Sequence, residues 1–145
     1  MDISIIVEKT FGFLKKQKTL SVDVILKTHK LGMKTRDTLE EKDKGKFRTF
    51  PVWIGGHEAK DWHLIPSLMA QWIDNANNTV AFLEGKKDAE EEIKQDHIAF
   101  EAIHPFGDFN GRIGRLLLNY QRVKTGLPIL IIYKDKRWEY YGWFN

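Results

Sequence analysis

The segment HPFGDFNGRIGR, residues 104–115, brings a histidine, a carboxylate, an asparagine and two arginines together. Gly111 precedes an apolar segment of helical spacing, so a helix is predicted to begin here. The first N–H groups of a helix have no intrahelical partners and attract phosphate. Arg112 and Arg115 are three residues apart and share a face that avoids the apolar positions. Two guanidinium groups beside a helix N-terminus predict a polyphosphate site.

Two further side chains in this segment add chemistry to the phosphate site. Asp108 would repel phosphate unless a cation lay between them, so it is predicted to bind Mg²⁺, which proteins hold through one or two carboxylates plus substrate phosphates. His104 is predicted to act as a base that deprotonates an attacking hydroxyl. The combination favours phosphoryl or nucleotidyl transfer.

The same residues allow other interpretations. Taken singly, a histidine before proline and an Asp-x-Asn-Gly turn are common structural features. An EF-hand is excluded, because Phe106 and Leu117 would occupy positions that need carboxylates. Residues 111–114, GRIG, match the GXXG step with which KH domains clamp a nucleic-acid backbone. This alternative ranks far behind, because the several strands of a KH domain are not evident in the sequence.

Composition limits the class of protein. The chain has 145 residues, a mass of 17.0 kDa and 42% hydrophobic residues, which predicts one globular domain over residues 1–145. It contains no cysteine, so disulfides and thiolate metal sites are excluded. A net charge of +3 permits a nucleic-acid partner without requiring one. Neither a secretory signal nor a membrane span is evident, and a cytoplasmic protein is expected.

Hydrophobic periodicity predicts a mainly α fold with one β-hairpin. Residues 4–16 and Thr19–Gly32 are predicted helices, the second ended by Gly32, and the polar run 34–46 is a predicted solvated loop. In FRTFPVWIGG, Phe50, Val52 and Ile54 alternate as in an edge strand before a glycine turn. Three more helices are expected: one after Pro66 that buries Leu68, Met69, Trp72, Ile73 and Ala76, one over residues 88–103, and one over Arg112–Thr125 that buries Ile113, Leu116, Leu117, Tyr120 and Val123. A last helix begins in KRWEYYGWF.

These residues resemble the signature of Fic domains, H-x-F-x-[DE]-G-N-G-R-x-x-R. The matching positions are His104, Phe106, Asp108, Asn110, Gly111, Arg112 and Arg115, and the departure is Phe109, where the family has glycine. Three other segments are similar to family features: HIAFEAIHPF to the helix before the loop, GKFRTFPVWIGG to the β-hairpin "flap", and KRWEYY to the final helix. The resemblance extends from about Leu20 to Tyr141.

The resemblance implies a compact Fic-type helical bundle and a protein adenylyltransferase that moves AMP from MgATP to a Ser, Thr or Tyr hydroxyl of a target protein. His104 would be the general base and Asp108 the Mg²⁺ ligand. The implied nucleotide and phosphate contacts are Asn110, Gly111, Arg112, Arg115, Tyr140 and Tyr141. Phe106 would anchor the loop in the core. The implied target-docking flap comprises Arg48, Thr49, Phe50, Val52, Trp53 and Ile54.

Phe109 is the departure with the largest expected consequence. If the family has glycine because the backbone needs a positive φ, phenylalanine strains the loop. If the family has glycine because the nucleotide needs the space, the phenyl ring occupies that space. In the third alternative, the ring packs outward and little is lost. The expectation is a slow or inactive enzyme with ATP, whose transfer rate rises in Phe109→Gly. The alternative function is a Fic-fold pseudoenzyme that binds proteins through its flap.

Two further departures concern regulation and the end of the chain. Ser4 to Glu8 has the spacing of the family's inhibitory [ST]-x-x-x-E-[GN] helix, but Lys9 follows, so the match is interpreted as coincidence. An inhibitor on a separate, antitoxin-like protein is expected instead. The final helix has only four residues after Tyr141, and an incomplete adenine pocket is predicted.

Overall fold

Six α-helices carry most of the chain in a computed structural model that describes residues 3–145, with side chains from residue 5 onward. The helices are α1 (Ile3–Lys15), α2 (Val22–Gly32), α3 (Ile65–Leu83), α4 (Ala89–Ile103), α5 (Asn110–Lys124) and α6 (Arg137–Tyr141). The strands are β1 (Trp53–Ile54) and β2 (His57–Glu58). The predicted mainly α fold with one hairpin is confirmed. Within residues 3–145, no helix combines the length and apolarity needed to span a membrane.

The core lies where α4 packs between α3 and α5, with α1 and α2 covering α5 from the other side. The predicted stripe of α3 is largely confirmed, since Met69, Trp72 and Ala76 are almost completely buried. The prediction for Val123 is wrong, because 38% of this residue is exposed and it belongs to neither hydrophobic cluster. A second side of α5 is buried instead, where Leu118 packs with Ala89 and Ile93 of α4.

The hairpin is shorter than the alternating pattern predicted. Its ladder pairs Trp53 with Glu58 and Ile54 with His57. Gly55 and Gly56 both have positive φ, 54° and 90°, as a two-residue hairpin turn requires. Phe50 lies before the strand, and its ring packs on Gly107, where a Cβ would come within 2.6 Å of the phenyl Cζ. The base of the hairpin therefore contacts the loop that follows α4.

The polar segment 34–46 is not simply solvated, so that prediction is wrong for three of its residues. Leu39 packs against the core, the side chain of Lys44 is buried and pairs with Glu41 at 2.5 Å, and Arg36 lines the main polar cavity. The reason is the path of the segment: it lies over the loop after α4, where Gly107 leaves room for Leu39.

Candidate active site

A cavity of about 400 Å³ opens between the loop after α4, the start of α5, the hairpin and the segment after α2. Its lining residues are Arg36, Val52, Trp53, His104, Gly107, Asp108, Phe109, Asn110, Gly111, Arg112 and Arg115. The structure thus brings the predicted base, carboxylate and two arginines into one cavity with the hairpin. Arg36 was not predicted for this site, and no pattern in the polar run distinguishes it from its neighbours.

His104 ends α4 in a left-handed conformation, with φ 50° and ψ 64°. Its Nδ1 lies 2.7 Å from the carbonyl oxygen of Glu101. A carbonyl can only accept, so Nδ1 carries the proton and Nε2 holds the free lone pair. Burial lowers the pKa of His104 below its ordinary value, although the bond to the Glu101 carbonyl opposes this. The imidazole is therefore neutral near pH 7 and can accept a proton through Nε2.

Arg48 has a different place from the one predicted, because its side chain is not part of a docking surface. It is only 3% exposed and its guanidinium donates to four carbonyl groups. The acceptors are the oxygens of His104 at 2.6 Å, Lys60 at 2.6 Å, Phe50 at 2.9 Å and Ile103 at 3.2 Å. Arg48 therefore fastens both sides of the hairpin base to the residue that carries the imidazole.

The remaining hairpin residues are arranged around a free tip. Trp53 is 62% exposed and borders the cavity together with Val52. Thr49 is exposed, and Ile54 is half-buried. The tip, unlike the base, is therefore available to a second protein.

The side chain of Asn110, for which phosphate binding stays a prediction, makes two hydrogen bonds within the fold. Its Oδ1 accepts from the Phe106 N–H and its Nδ2 donates to the Phe106 carbonyl, both at 2.8 Å. This pair closes the loop at the start of α5. The first helical bond runs from the N–H of Ile113 to the oxygen of Phe109 at 3.1 Å. The backbone N–H groups that precede it are the ones a phosphate would meet.

His29 of α2 contacts the same loop through a hydrogen bond to its backbone. It was not predicted from the sequence as a site residue. Its Nε2 donates to the carbonyl of Asp108 at 3.1 Å, while Nδ1 accepts from the Gly45 N–H at 2.9 Å. The ring stacks on Phe106, which is fully buried as predicted, with centroids 3.9 Å apart. Burial lowers the pKa of His29 to about 4, so it remains neutral. Its position on the buried stripe of α2, four residues after Ile25, was the available signal.

Among the described residues that line the cavity, Asp108 presents the only carboxylate. Its side chain is 38% exposed, accepts a hydrogen bond from the Thr38 hydroxyl and lies 3.9 Å from Arg36 Nη2. Among residues 3–145, no group of three acidic, histidine or cysteine side chains is positioned to hold a metal. One accessible carboxylate beside a helix N-terminus fits Mg²⁺, an ion that proteins hold through one or two carboxylates together with substrate phosphates and water.

Phe109 adopts the positive φ that the family glycine suggested, with φ 75° and ψ 13°. Its ring neither packs outward nor takes up the centre of the cavity. It is 7% exposed and belongs to the core, where its Cε2 would lie 2.8 Å from a Cβ on Gly32. The explanation of Gly32 also changes: the helix does end there, but the missing side chain makes room for this ring.

Tyr140 and Tyr141 are not among the residues that line the cavity, and their nucleotide contacts stay a prediction. Tyr140 is 6% exposed and its hydroxyl donates to His97 Nε2 at 2.7 Å, because His97 Nδ1 is bound to the Gly114 carbonyl. Its ring lies 5.9 Å from the guanidinium carbon of Arg115. Tyr140 thus packs behind Arg115, and Tyr141 is half exposed on α6.

Glu101, one turn before His104, is a buried acid that the sequence analysis did not select. Its Oε1 is buried without a hydrogen-bond partner among the described residues, and Oε2 lies 3.9 Å from His104 Nδ1. Burial raises the pKa of Glu101 to about 7, against the pull of the Arg115 charge. No side chain fits at Gly114, whose Cβ would lie 2.0 Å from Oε1. The close approach of α4 and α5 therefore creates this acid's environment.

We expect the free energy of unfolding to depend on pH through the titration of Glu101. The folded pKa of about 7 exceeds the ordinary value of 4.5, so protonated Glu101 stabilises the fold at low pH and the contribution is lost as pH rises towards 7. Glu101→Gln stays neutral, so the parent's unfolding free energy should fall relative to this variant between about pH 4.5 and about pH 7. Urea unfolding across this range measures it, with the exposed Glu84→Gln as control. Parallel pH curves for parent and variant would show an ionised carboxylate instead.

Comparison with known proteins identifies the class. A sequence model described as the Fic/DOC family matches residues 19–121. The protein adenylyltransferase fic-1 of Caenorhabditis briggsae is 32% identical in sequence over 88% of the chain. The protein adenylyltransferase Fic of Aedes aegypti is 31% identical over 91% of the chain. The solved structure of Fic-1, residues 134–508, from C. elegans superposes on the chain with a TM-score of 0.77 and 27% sequence identity. The superposition covers 95% of this chain and 41% of the chain in that structure.

These findings define the chain as a helical bundle with one β-hairpin, and it belongs to the Fic/DOC family. A Fic-domain signaling protein from Bacteroides thetaiotaomicron shares the fold, with a TM-score of 0.76 and 22% identity over 97% of the chain and 53% of its own. The chain spans about a quarter of the length of the two adenylyltransferases, 24% and 25%. Membership of the family predicted from the motif is thus confirmed.

Proposed function

We propose that this protein is an adenylyltransferase that moves AMP from ATP to a hydroxyl group of a target protein and releases pyrophosphate. The observation that carries the proposal is the neutral imidazole of His104 in one cavity with the α5 N-terminus, Arg112 and Arg115. Relatives that are about 30% identical over most of the chain carry the name protein adenylyltransferase. Phe109 has a structural part in this proposal and is not a block, because its ring lies in the core.

The proposed reaction is an in-line displacement at the α-phosphorus of ATP. Nε2 of His104 takes the proton of the target hydroxyl as the hydroxyl oxygen bonds to phosphorus. The bond from the α-phosphorus to the bridging oxygen breaks, and pyrophosphate leaves with that oxygen. The Glu101 carbonyl keeps the imidazole in the required tautomer, and the low pKa keeps it unprotonated.

Charge on the phosphates would be met by cationic groups of α5. The first backbone N–H groups of the helix and the guanidinium groups of Arg112 and Arg115 are donors fixed before the substrate arrives. Asp108 would hold Mg²⁺, whose role when bound is to neutralise phosphate charge. The donor set of this cavity suits that ion, since a single carboxylate leaves coordination positions for phosphate oxygens and water.

The exposed hairpin tip is the proposed contact for the target protein. An extended target segment that added a strand beside Trp53 and Ile54 would bring its hydroxyl towards the cavity. An antitoxin-like inhibitor on a separate protein and a cytoplasmic location both stay predictions. Glu8 is exposed on α1 and makes no ion pair with Arg115 in the part of the chain the structure describes, and the side chain of Ser4 lies outside that part.

The decisive experiment is labelling in a cell lysate with radioactive ATP, CTP and GTP supplied separately. The proposal predicts a labelled protein band with ATP that is absent with His104→Ala and retained with the exposed His63→Ala. No labelled band with any nucleotide, from a protein that binds MgATP, would favour the pseudoenzyme. Labelling from CTP or GTP alone would retain the reaction type and correct the nucleotide.

Asp108→Ala should abolish the dependence of ATP affinity on Mg²⁺. In the parent the carboxylate repels the phosphates unless the cation lies between them, so Mg²⁺ should strengthen binding. Calorimetric titration of ATP with Mg²⁺ and with EDTA measures this, and Asp108→Asn provides a variant of matched size. Equal ATP affinity in both conditions in the parent would remove Asp108 from metal binding.

A further inference from the structure

A third arginine, Arg36, shares the cavity with Arg112 and Arg115 although it lies far from them in sequence. It belongs to the segment between α2 and the hairpin, where its N–H donates to the Met33 carbonyl at 3.0 Å. Its side chain is 30% exposed. The signature covers residues 104–115 only, so it assigns no role to Arg36.

The ring of Phe109 contacts two of these guanidinium groups. The guanidinium carbon of Arg36 lies 5.1 Å from the ring centroid, and that of Arg112 lies 5.5 Å from the same centroid. Both distances are within the range of a cation–π interaction. The ring itself is held by its close packing on Gly32. Phe109 therefore forms a fixed surface that a glycine could not provide.

The guanidinium of Arg36 has a hydrogen-bond donor without an acceptor. Its Nε is buried and has no hydrogen-bond partner among the described residues. Within the described part of the chain, its one charge partner within 4 Å is Asp108, at 3.9 Å, which is beyond hydrogen-bond distance. A buried donor without an acceptor is costly, and a planar guanidinium suits two oxygens of one phosphate group.

The charges that line the cavity leave an excess for an anion. Three guanidinium groups face one carboxylate, and His104 is neutral. The cations are close enough to influence each other: burial, then the charges of Arg36 and Arg115, lower the pKa of Arg112. A polyphosphate would relieve this repulsion and occupy the free donors.

We propose that Arg36 is a third phosphate-binding arginine, which Phe109 holds beside Arg112, so that the phenylalanine in place of the family's glycine adds a cation to the site. The ligand is the polyphosphate of a nucleotide, and in this respect the inference rests on the proposed function. Phe109 is a positioning residue in this arrangement, since it acts through the two guanidinium groups.

The test is calorimetric titration of ATP and, separately, inorganic tripolyphosphate into the parent and its variants at fixed Mg²⁺. Arg36→Ala should weaken both ligands roughly tenfold to a hundredfold, as expected for loss of charged hydrogen bonds. Arg36→Lys keeps the charge but loses the planar fork, so its affinity should be intermediate. Lys34→Ala removes a charge from the same segment outside the cavity and should leave affinity within about twofold.

Phe109→Leu tests the role of the ring while keeping an apolar side chain in the core. It should weaken both ligands, and its effect should be smaller when Arg36 is already alanine, because part of the effect acts through Arg36. Full affinity in Arg36→Ala, with loss in Arg112→Ala, would overturn this inference and leave the proposed function intact. Tripolyphosphate binding that depends on Arg36, in a protein that ignores ATP, would support the inference and reject the proposed function. A parent that binds neither ligand would overturn both.

Discussion

Replacing His104 by alanine is expected to lower the rate of target labelling by roughly 10²-fold to 10⁴-fold, the usual contribution of a general base. No second base is positioned to replace it: of the residues that line the cavity, His104 is the only histidine, and the buried His97 is bound through both ring nitrogens. The fold should survive, because Arg48 holds the backbone oxygen of residue 104 and not its imidazole. ATP affinity should also stay close to that of the parent.

The measurements are initial labelling rates with a purified target, together with thermal unfolding and ATP titration. His63→Ala, on an exposed side chain outside the cavity, is the control. A variant that keeps full labelling would exclude His104 from proton transfer. One that loses both labelling and ATP affinity would indicate that the imidazole supports the loop and does not act as the base.

Phe109→Ala is expected to destabilise the fold by about 3–5 kcal/mol, the range for truncating a buried phenylalanine. The ring is 7% exposed and fills the space beside Gly32, so its removal would leave a cavity there. Phe109→Gly should lose about 1 kcal/mol less, because glycine adopts the φ of 75° without steric cost. Urea unfolding of both variants measures these differences, and the 72% exposed Phe82→Ala should change stability by less than about 0.5 kcal/mol.

The same variants address the transfer rate, for which the sequence suggested the opposite result. Since the ring lies in the core, we expect neither variant to label targets faster than the parent. A faster Phe109→Gly would reinstate the steric argument made from the sequence. Equal stability of the alanine and glycine variants would show that the left-handed conformation at this position relaxes in both.

The motif loop was the most predictable part of the molecule. Spacing alone placed Arg112 and Arg115 on one face of α5, and the glycine and polar residues before them placed the helix start. Local sequence is sufficient there because the pattern of a helix and its N-terminus extends over few residues. Spacing did not indicate that the side chain of Asn110 bonds to the backbone of Phe106, because a side chain's choice between backbone and ligand is not encoded in spacing.

Contacts between distant segments could not be predicted in the same way. Arg36 and Thr38 looked like members of a solvated charge run, and only the fold places them beside Asp108. Arg48 was interpreted as a docking residue because its neighbours form the hairpin, whereas its environment comes from the end of α4. Burial of a charged side chain depends on the carbonyl groups that the rest of the chain delivers to it.

The packing of Phe109 on Gly32 also fixes an evolutionary order. A Cβ at position 32 would lie 2.8 Å from the ring, so a loop phenylalanine fits without displacing its surroundings only where position 32 is already glycine. The reverse route, ring first, passes through an intermediate with overlapping atoms. While the phenylalanine is present, replacing Gly32 by a larger residue is expected to be unfavourable. The two positions are thus expected to be inherited as a pair, and a lineage that regains the loop glycine is free to vary at position 32.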